Sequence, residues 1–546
     1  MADTSNDQGI PNPEGASELI DTQYEIGQDN IETQVGPFGL DIHNPVFLIS
    51  GLSIVAFVFY ALALPEQAES IFGALRPWLT SNFDWFFLGA GNIFVIFCLF
   101  LIISPYGKIR LGGAEATPDY SYPGWFAMLF AAGMGIGLMF YGVSEPMSHF
   151  STSLGGISEE GGVRTDWAPL GAAAGDQAAS VSLGMAATIY HWGLHPWGMY
   201  AVVALALALF TYNKGLPLTI RSAFYPIFGE RVWGWTGHII DILAVFATLF
   251  GLATSLGYGA TQANAGLNLL FGLPVGTTSE VLLITGITAI ALVSVVRGLD
   301  GGVKVLSEIN MGLAFLLLIF VLIVGPTAAL LALFWDSIVS YFANLVPLSI
   351  PFGREDANYS QGWTAFYWAW WISWSPFVGM FIARVSRGRT VREFIICVLL
   401  IPTFVCVLWM SVFGGTAITQ FINDGVTAVK DAPLELKLFE MLAELPLAGI
   451  TSFIGIILVV VFFVTSSDSG SLVIDTITAG GKVDAPVPQR VFWCIFEGAV
   501  AIALLIGGGL ASLQAMVIST GLPFTLVLLL MCWSIWRGLK AERKHH

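Results

Sequence analysis

The chemistry expected of this sequence comes from aromatic side chains grouped within apolar segments. One group occupies twelve residues and consists of Trp363, Tyr367, Trp368, Trp370, Trp371 and Trp374. A second is the run His191-Trp192-Gly193-Leu194-His195-Pro196-Trp197-Gly198-Met199-Tyr200. Tyr367, Trp371 and Trp374 follow helical i, i+4, i+7 spacing and therefore share one face. Aromatic faces attract quaternary ammonium groups by cation–π interactions. The pattern indicates a site for a methylated cationic ligand, with helix packing or an interfacial aromatic belt as the alternatives.

Two segments that interrupt helical patterns are expected to lie beside these aromatic groups. Gly133, Gly135 and Gly137 alternate with apolar residues in one apolar segment, and Ser373-Trp374-Ser375-Pro376 lies five apolar segments later. Secondary transporters often carry such breaks at matching positions of two inverted repeats, with the binding site near the membrane midplane. We therefore predict unwound backbone at a substrate or ion site in both segments. Close helix–helix packing is the alternative for the glycines.

Hydroxyl and imidazole groups supply the other candidate ligands. The run Thr465-Ser466-Ser467-Asp468-Ser469 lies in an apolar segment, where its oxygens could ligate sodium or bond to their own backbone. Asp468 is an intramembrane ionisable group and hence a functional candidate, although it could instead cap a break near the membrane surface. His191 and His195 have i, i+4 spacing but no evident third ligand, so a packing role is favoured over metal binding.

The composition places the elements that carry these residues in lipid. Of the 546 residues, 55% are hydrophobic and only 11% are charged, too few charges to cover a soluble surface. The net charge of −16 excludes nucleic-acid binding, because no basic surface remains to neutralise phosphates. A Gly-x4-Gly-Lys-Ser/Thr phosphate loop is lacking, which excludes ATP-driven transport by this chain. The chain is predicted to be an all-α integral membrane protein.

Twelve apolar stretches are long enough to cross the bilayer. They lie near 45–64, 83–104, 122–143, 180–211, 235–270, 279–297, 304–333, 358–383, 392–415, 450–473, 490–509 and 513–536. With this assignment 17 of the 22 lysines and arginines fall on one side, so both termini are predicted to be cytoplasmic. The stretches 65–80, 335–349 and 433–447 are predicted to be short surface helices.

The terminal segments are expected to differ from the membrane domain. Residues 1–42 contain nine acidic and no basic residues, a composition that predicts a disordered cytoplasmic tail. Residues 43–537 form the predicted twelve-helix transporter domain. Residues 538–546 form a short cytoplasmic C-terminal tail.

Three long motifs together resemble the betaine/choline/carnitine transporter family over roughly residues 40–537. They are AGMGIGLMFYGVSEP at 132–146, HWGLHPWGMY at 191–200 and YWAWWISWSPFVGMFIARVSRGRTVREF at 367–394. The resemblance implies a LeuT-type inverted 5+5 repeat of spans 3–7 and 8–12, at about 120–333 and 355–537, after two extra N-terminal helices. It also implies a homotrimer in the bilayer of a bacterial or archaeal plasma (inner) membrane.

The resemblance further implies a substrate site. Its aromatic box for a trimethylammonium group would be Trp192, Trp197, Tyr200 and Trp371. Trp374 would be a further binding aromatic, and Trp370 would line the cytoplasmic side of the pathway. Gly133, Met134, Gly135 and Gly137 would complete the site. Choline carriers of the family tend to have an acid at the position of Gly137, so glycine here favours a zwitterion such as glycine betaine.

An ion site is implied in the same way. Sodium-coupled members bind one sodium at positions that correspond to Ala131, Met134, Phe462, Thr465 and Ser466, all of which match. Thr248 and Phe377 match a second family sodium site, but Leu252 replaces its other threonine. No cofactor other than sodium, as the coupling ion, is expected.

These observations predict a transporter rather than an enzyme. The expected activity is sodium-coupled import of a quaternary-ammonium or related methylated zwitterion, most simply glycine betaine, by alternating access. The alternative is a sodium-independent or proton-coupled carrier or exchanger of choline, carnitine or a sulfonium analogue such as dimethylsulfoniopropionate. The charge rings or carbonyl filter of a channel and the signalling domain of a receptor are lacking.

Overall fold

The chain is almost entirely helical in the computed structural model, which describes residues 10–298 and 300–544. Lipid offers no partners to backbone polar groups, and helices satisfy them within each segment. The helices are α1 Val46–Ala63, α2 Pro65–Ile103, α3 Tyr122–Gly133, α4 Ile136–Gly155, α5 Gln177–Trp192, α6 Leu194–Ala208, α7 Tyr225–Phe228, α8 Trp235–Phe271, α9 Thr277–Arg297, α10 Asp300–Val324, α11 Thr327–Ser349, α12 Ala357–Tyr359, α13 Ala365–Val385, α14 Val391–Asp424, α15 Ala428–Asp431, α16 Lys437–Ala443, α17 Ala448–Thr478, α18 Val487–Ile506 and α19 Leu510–Glu542.

The strands and the π-helical turns lie outside the long α-helices, with the first strand pair before α1. β1 Asn30–Val35 pairs with β2 Phe38–His43, and β3 Glu159–Glu160 pairs with β4 Val163–Arg164, both antiparallel. π-helical turns extend α6 over Leu209–Asn213 and precede α13 over Ser360–Thr364. The all-α class predicted from composition is confirmed.

The described residues contain eleven helices that are long and apolar enough to span a bilayer, or twelve when the bent pair α3–α4 counts as one span. This number agrees with the predicted one, but the assignment differs at two places. Helix α11 is among the eleven, whereas 335–349 was expected to be a short surface helix. Helix α13 is not among them, because its four tryptophans and its tyrosine lower its mean hydropathy.

The predicted surface helix 65–80 is also wrong. It continues without a break into the second span as α2, a helix of 39 residues and therefore about 58 Å long. Pro77 inside this helix does not end it. A helix of this length exceeds the roughly 30 Å of hydrocarbon, so it projects beyond one membrane surface.

Helix α13 lies at the centre of the molecule and carries most of the predicted aromatic site. It packs against α6, α8 and α19, and its tryptophans are buried apart from the half-buried Trp374. A helix covered by protein on all sides need not be lipophilic, which accounts for its unusual composition.

The expectation of disorder in the acidic N-terminal segment is wrong for residues 10–43, which we call the terminal segment. It carries the β1–β2 hairpin and lies across the loops that hold the basic residues. Glu18 pairs with Lys214 at 2.7 Å, Glu14 with Arg387 at 2.6 Å, and Asp41 with Lys482 at 2.5 Å. Composition alone treats the acids as mutually repelling, but here their charges are met by cations of the folded domain.

The first and last described parts of the chain, near residues 17 and 542, lie on one face, which we call the terminal face. Ser17 donates a 2.6 Å hydrogen bond to Glu542 at the end of α19, and Lys214 bridges Glu542 and Glu18. At the end of β2, burial, followed by the charges of Arg221 and His238, lowers the pKa of His43 to about 3. His43 is therefore a neutral group at the anchor of the hairpin.

Candidate functional site

The predicted interruption in span three is confirmed. Helix α3 ends at Gly133, α4 starts at Ile136, and the two are bent by 65°. Gly135 between them is fully extended, with φ −179° and ψ −171°. The break exposes the last carbonyls of α3 and the first N–H groups of α4, which a continuous helix would have paired with each other.

The predicted interruption in span eight is wrong, since α13 runs unbroken through Pro376. Proline has no N–H, and it therefore removes the bond to the carbonyl four residues earlier, that of Ile372. The Ser375 hydroxyl donates to this carbonyl oxygen at 2.6 Å. The side chain thus replaces the missing backbone donor and lets the helix continue.

A second interruption lies in span four, where the sequence reasoning did not place one. Helix α5 ends at Trp192, Gly193 leaves the helical conformation, and α6 starts at Leu194. Pro196 cannot donate to the Trp192 carbonyl, which instead accepts a 3.2 Å bond from the Trp197 indole N–H. The Gly193 and Pro196 pair was the signal that could have predicted this break.

The four residues of the predicted aromatic box come together between the breaks in spans three and four. The rings of Trp192 and Trp371 are 4.8 Å apart at 73°. Tyr200 lies 6.3 Å from Trp371 at 74°, and Trp197 lies 5.1 Å from Tyr200 at 67°. Each is at most 8% exposed. Walls that meet at steep angles present several π faces to one space, the arrangement that surrounds a quaternary ammonium group.

Hydrogen bonds hold the indoles of the site in place. Trp371 donates to the His191 carbonyl at 2.8 Å, and Trp374 donates to the Gly251 carbonyl at 2.9 Å. Trp192 donates to the Glu145 carboxylate at 2.7 Å. The box is therefore rigid before any ligand arrives, which reduces the entropy lost on binding.

The box opens onto a cavity of about 70 Å³, several times the roughly 10–15 Å³ that one water molecule needs. The predicted glycine segment forms another wall through Gly133, Met134, Gly135 and Gly137. None of the described residues that line this cavity carries a formal charge. The space suits a small solute whose cationic end faces aromatic rings.

Trp370 is not where the sequence analysis expected it. It stacks on Phe366 at 5.4 Å and lies 6.2 Å from Tyr141, two residues of a vestibule of about 320 Å³ on the face opposite the termini. Trp370 therefore closes the box toward that face rather than lining the route to the termini. One aromatic layer separates the box from this vestibule. One helical turn later, Trp374 lies on the other side of the box.

Toward the terminal face the box cavity adjoins a second cavity of about 340 Å³. The two share five lining residues, among them Met134, Trp374 and Val378, and the second one reaches Arg384. Arg384 also lines a third cavity, of about 860 Å³, beneath the terminal segment. The cavities thus follow one another from the box to the terminal face.

The five predicted sodium ligands all line this second cavity, at the break in span three and on α17 facing it. The Thr465 hydroxyl donates to the carbonyls of Val461 at 3.0 Å and Phe462 at 3.3 Å. Its proton thus points to the backbone, as the alternative reading expected, and its oxygen lone pairs remain for a cation.

At the second ion site that the resemblance implies, Thr248 is buried and its hydroxyl has no hydrogen-bond partner among the described residues. Phe377 lies 5.2 Å from Trp374. The Trp374 indole donates to the carbonyl of Gly251, which follows Thr248 by about one turn of α8. Leu252 is 1% exposed and packs against Gly470. One hydroxyl oxygen is therefore present where the family pattern has two.

A buried acid that the sequence analysis did not single out lies behind the Trp192 wall of the box. Glu145 lies in α4 and forms a cluster with His149 and His191. Its position two residues after the predicted span 122–143, in an apolar run and four residues before a histidine, was the available signal. His195, the other member of the predicted pair, is separate from the cluster; it contacts the Asn92 amide oxygen at 2.9 Å and stacks on Trp368.

Asp468 also has a described partner. Its carboxylate lies 3.1 Å from the Arg490 guanidinium, and the Arg490 side chain further donates to the Asp468 carbonyl. The residue therefore lies in an ion pair between α17 and α18 rather than in the sodium cavity. It does not cap a break, because α17 runs unbroken through it, so the pairing with Arg490 differs from the alternative considered for it.

Comparison with known proteins gives a consistent assignment. Residues 45–544 match the model of the BCCT, betaine/carnitine/choline family transporters. A glycine betaine/proline/choline transporter of Vibrio parahaemolyticus is 70% identical over 99% of this chain and 98% of its own. Glycine betaine transporter 1 of the same organism is 57% identical over 96% and 98%.

A crystal structure of a manganese transporter of Eremococcus coleocola is also similar, with 13% identity, coverage of 77% of this chain and 82% of that one, and a TM-score of 0.38. The family match spans nearly all of the described chain and includes every residue of the box. This chain therefore belongs to the betaine/carnitine/choline family of membrane transporters, and it is not an enzyme.

Proposed function

We propose that the protein is a sodium-coupled secondary transporter that imports a methylated zwitterion, glycine betaine being the simplest, by alternating access. The observation that carries this proposal is the box of four buried aromatic side chains at steep angles around an uncharged cavity. A trimethylammonium group binds such faces without a carboxylate partner. The names of the two Vibrio relatives include glycine betaine.

The other end of the ligand is proposed to face the start of α4. A helix N-terminus presents unpaired N–H groups and a partial positive charge, which stabilise a carboxylate. Gly135 caps α4 without a side-chain bond, so the N–H groups of this first turn remain for a ligand. A zwitterion would thus place its cation in the box and its anion at the break in span three.

Sodium is proposed to bind where Ala131 and Met134 face Phe462, Thr465 and Ser466. Backbone carbonyls and hydroxyls are the hard oxygen ligands that this ion prefers, and the broken helix brings them into one cavity. One sodium that enters down a potential of 100 mV contributes about 2.3 kcal/mol. Because Leu252 offers no oxygen, we propose that a single sodium drives each cycle.

The terminal face is proposed to be cytoplasmic, because it carries most of the basic residues. The connected cavities then describe a state in which the box communicates with the cytoplasm while the Trp370 layer closes the outside. The family resemblance further supports an inverted 5+5 repeat and a homotrimer in the bacterial inner membrane. Mass measurement of the purified protein tests the trimer.

Uptake of radiolabelled glycine betaine into proteoliposomes tests the transport proposal. Uptake should require an inward sodium gradient, and Thr465→Val combined with Ser466→Ala should raise the sodium concentration needed for half-maximal uptake by at least tenfold. Ser469 lines the same cavity but is not a proposed ligand, so Ser469→Ala serves as the matched control. Equal uptake with and without sodium would exclude the coupling, and lack of uptake under every gradient would exclude the function.

A further inference from the structure

The carboxylate of Glu145 lies directly behind the box and receives four hydrogen bonds. Oxygen Oε2 accepts from the Trp192 indole at 2.7 Å and from the Tyr367 hydroxyl at 2.5 Å. Oxygen Oε1 contacts His191 Nδ1 at 2.5 Å and His149 Nε2 at 3.1 Å. Glu145 is fully buried, and these four groups are the hydrogen-bond partners of its carboxylate within the described part of the chain.

This geometry fits an ionised carboxylate. Indole N–H can only donate, and when Tyr367 and both histidines donate as well, each carboxylate oxygen has two donors, the full set that suits an ionised carboxylate. His191 can remain neutral, because its second ring nitrogen can accept from the Thr364 hydroxyl at 2.8 Å. A neutral His149 likewise supplies the one donor required. The cluster then holds one negative charge, which the uncharged cavity lining does not offset.

Glu145 places its negative charge behind the wall of the box, because the cavity has no room for an acidic side chain at Gly137. A Cβ atom at Gly137 would lie 2.9 Å from the Trp192 ring and 3.2 Å from the Trp370 ring. An acidic side chain at this position would displace two walls of the box. Glu145 instead acts through the Trp192 indole, whose N–H points to the carboxylate while its face points to the cavity.

We propose that Glu145 is the counter-charge and positioning residue of the aromatic box, and that it enables the site to bind quaternary ammonium ions that carry no carboxylate of their own, such as choline. This inference rests on the proposed function. Donation of the indole N–H to an anion shifts electron density toward the ring, which strengthens its attraction for a cation. The carboxylate also attracts the cation directly through a medium of low dielectric constant.

Three ligands separate charge from shape. Glycine betaine and choline share the trimethylammonium group, whereas 3,3-dimethylbutanoate replaces its nitrogen by carbon and keeps the carboxylate of betaine. Dissociation constants would be measured by displacement of radiolabelled glycine betaine from the purified full-length protein. Glu145→Gln should weaken choline and betaine at least tenfold more than 3,3-dimethylbutanoate, whose neutral tert-butyl group replaces the trimethylammonium group. Glu497→Gln, a buried carboxyl in α18 bonded to Ser467, is the matched control and should leave the ratio unchanged.

A second pair of variants keeps the test valid if Glu145→Gln does not fold. Trp192→Phe and Trp197→Phe make the same change in two walls of the box, but the Trp192 N–H bonds to the carboxylate and the Trp197 N–H to a backbone carbonyl. Trp192→Phe should lower the preference for cation over isostere severalfold more than Trp197→Phe.

The outcomes distinguish the inference from the function beneath it. If the wild-type protein binds neither betaine nor choline, the proposed function fails. If it binds them, and Glu145→Gln weakens all three ligands equally or none of them, Glu145 is a scaffold residue and the inference is overturned. Equal losses of preference in the two Trp→Phe variants would overturn it as well.

Discussion

Substitution of Gly137 by alanine should damage the box more than the same change two residues earlier. The added Cβ would lie 2.9 Å from Cη2 of Trp192 and 3.2 Å from Cη2 of Trp370, closer than ordinary van der Waals contact. Neither ring can retreat easily, since Trp192 is bonded to Glu145 and Trp370 stacks on Trp371 at 4.9 Å. Overpacking of this kind costs about 1–3 kcal/mol. If the strain is relieved by moving Trp192 into the cavity, the same free energy is lost from ligand binding. This loss corresponds to a roughly 5- to 150-fold lower affinity.

The neighbouring glycines provide matched controls. Nothing lies within 4 Å of a Cβ at Gly135, and its extended backbone accepts any residue. At Gly133 the nearest atoms are in ordinary contact, at 3.5 Å and 3.6 Å. Affinity for glycine betaine, measured by calorimetry, should therefore fall most for Gly137→Ala, less for Gly133→Ala and least for Gly135→Ala. A reversed order, or wild-type affinity in Gly137→Ala, would refute the account of the box.

Three further outcomes are expected. Trp371→Ala removes a central wall and should weaken equilibrium binding of glycine betaine at least tenfold, and unchanged affinity would exclude the cation–π box. Ser375→Ala leaves the Ile372 carbonyl without a donor and should lower the stability of the protein by about 1–3 kcal/mol, seen as a lower apparent Tm. Ser519→Ala, which removes a hydroxyl bonded to the carbonyl of Ala515 in a helix turn without proline, should have little effect. The pKa of His43 is about 3 in the folded hairpin and near 6.5 in the unfolded chain. The resulting stabilisation of the folded hairpin is complete above the unfolded pKa and is lost as the pH falls toward 3. At pH 5 the loss is about 2 kcal/mol. The protection factors of the amides of residues 38–43, which are corrected for the pH dependence of intrinsic exchange, should fall between pH 7.5 and 5, and an equal fall in His43→Gln would argue against this origin.

The membrane location of the chain and the position of the box in the sequence could be predicted from neighbouring residues alone. Long apolar runs require helices in lipid wherever they occur, and alternating glycines weaken a helix without help from distant residues. The break between Gly133 and Ile136 and the aromatic residues on α5, α6 and α13 were therefore predictable. Whether Ser373–Pro376 also breaks its helix depended on whether one hydroxyl, that of Ser375, replaces the lost backbone donor.

The ordered structure of the terminal segment likewise depends on contacts that a local pattern does not contain. Its acids repel each other along the chain, and composition therefore predicts disorder. Their partners, such as Lys214, Arg387 and Lys482, follow at distances of more than 190 residues in sequence. Only the folded arrangement of loops on the terminal face brings the opposite charges together.

By itself, the sequence determined that this is a helical membrane protein of the betaine/carnitine/choline family with an aromatic site beside a glycine break. Those features reside in runs of neighbouring residues, whose chemistry acts over one or two helical turns. The tertiary structure alone decided that Trp370 closes the box on the side away from the termini, and that Glu145 lies behind Trp192. Both depend on how α4, α5 and α13 meet, because a buried charge acquires its role from the groups that distant segments place around it.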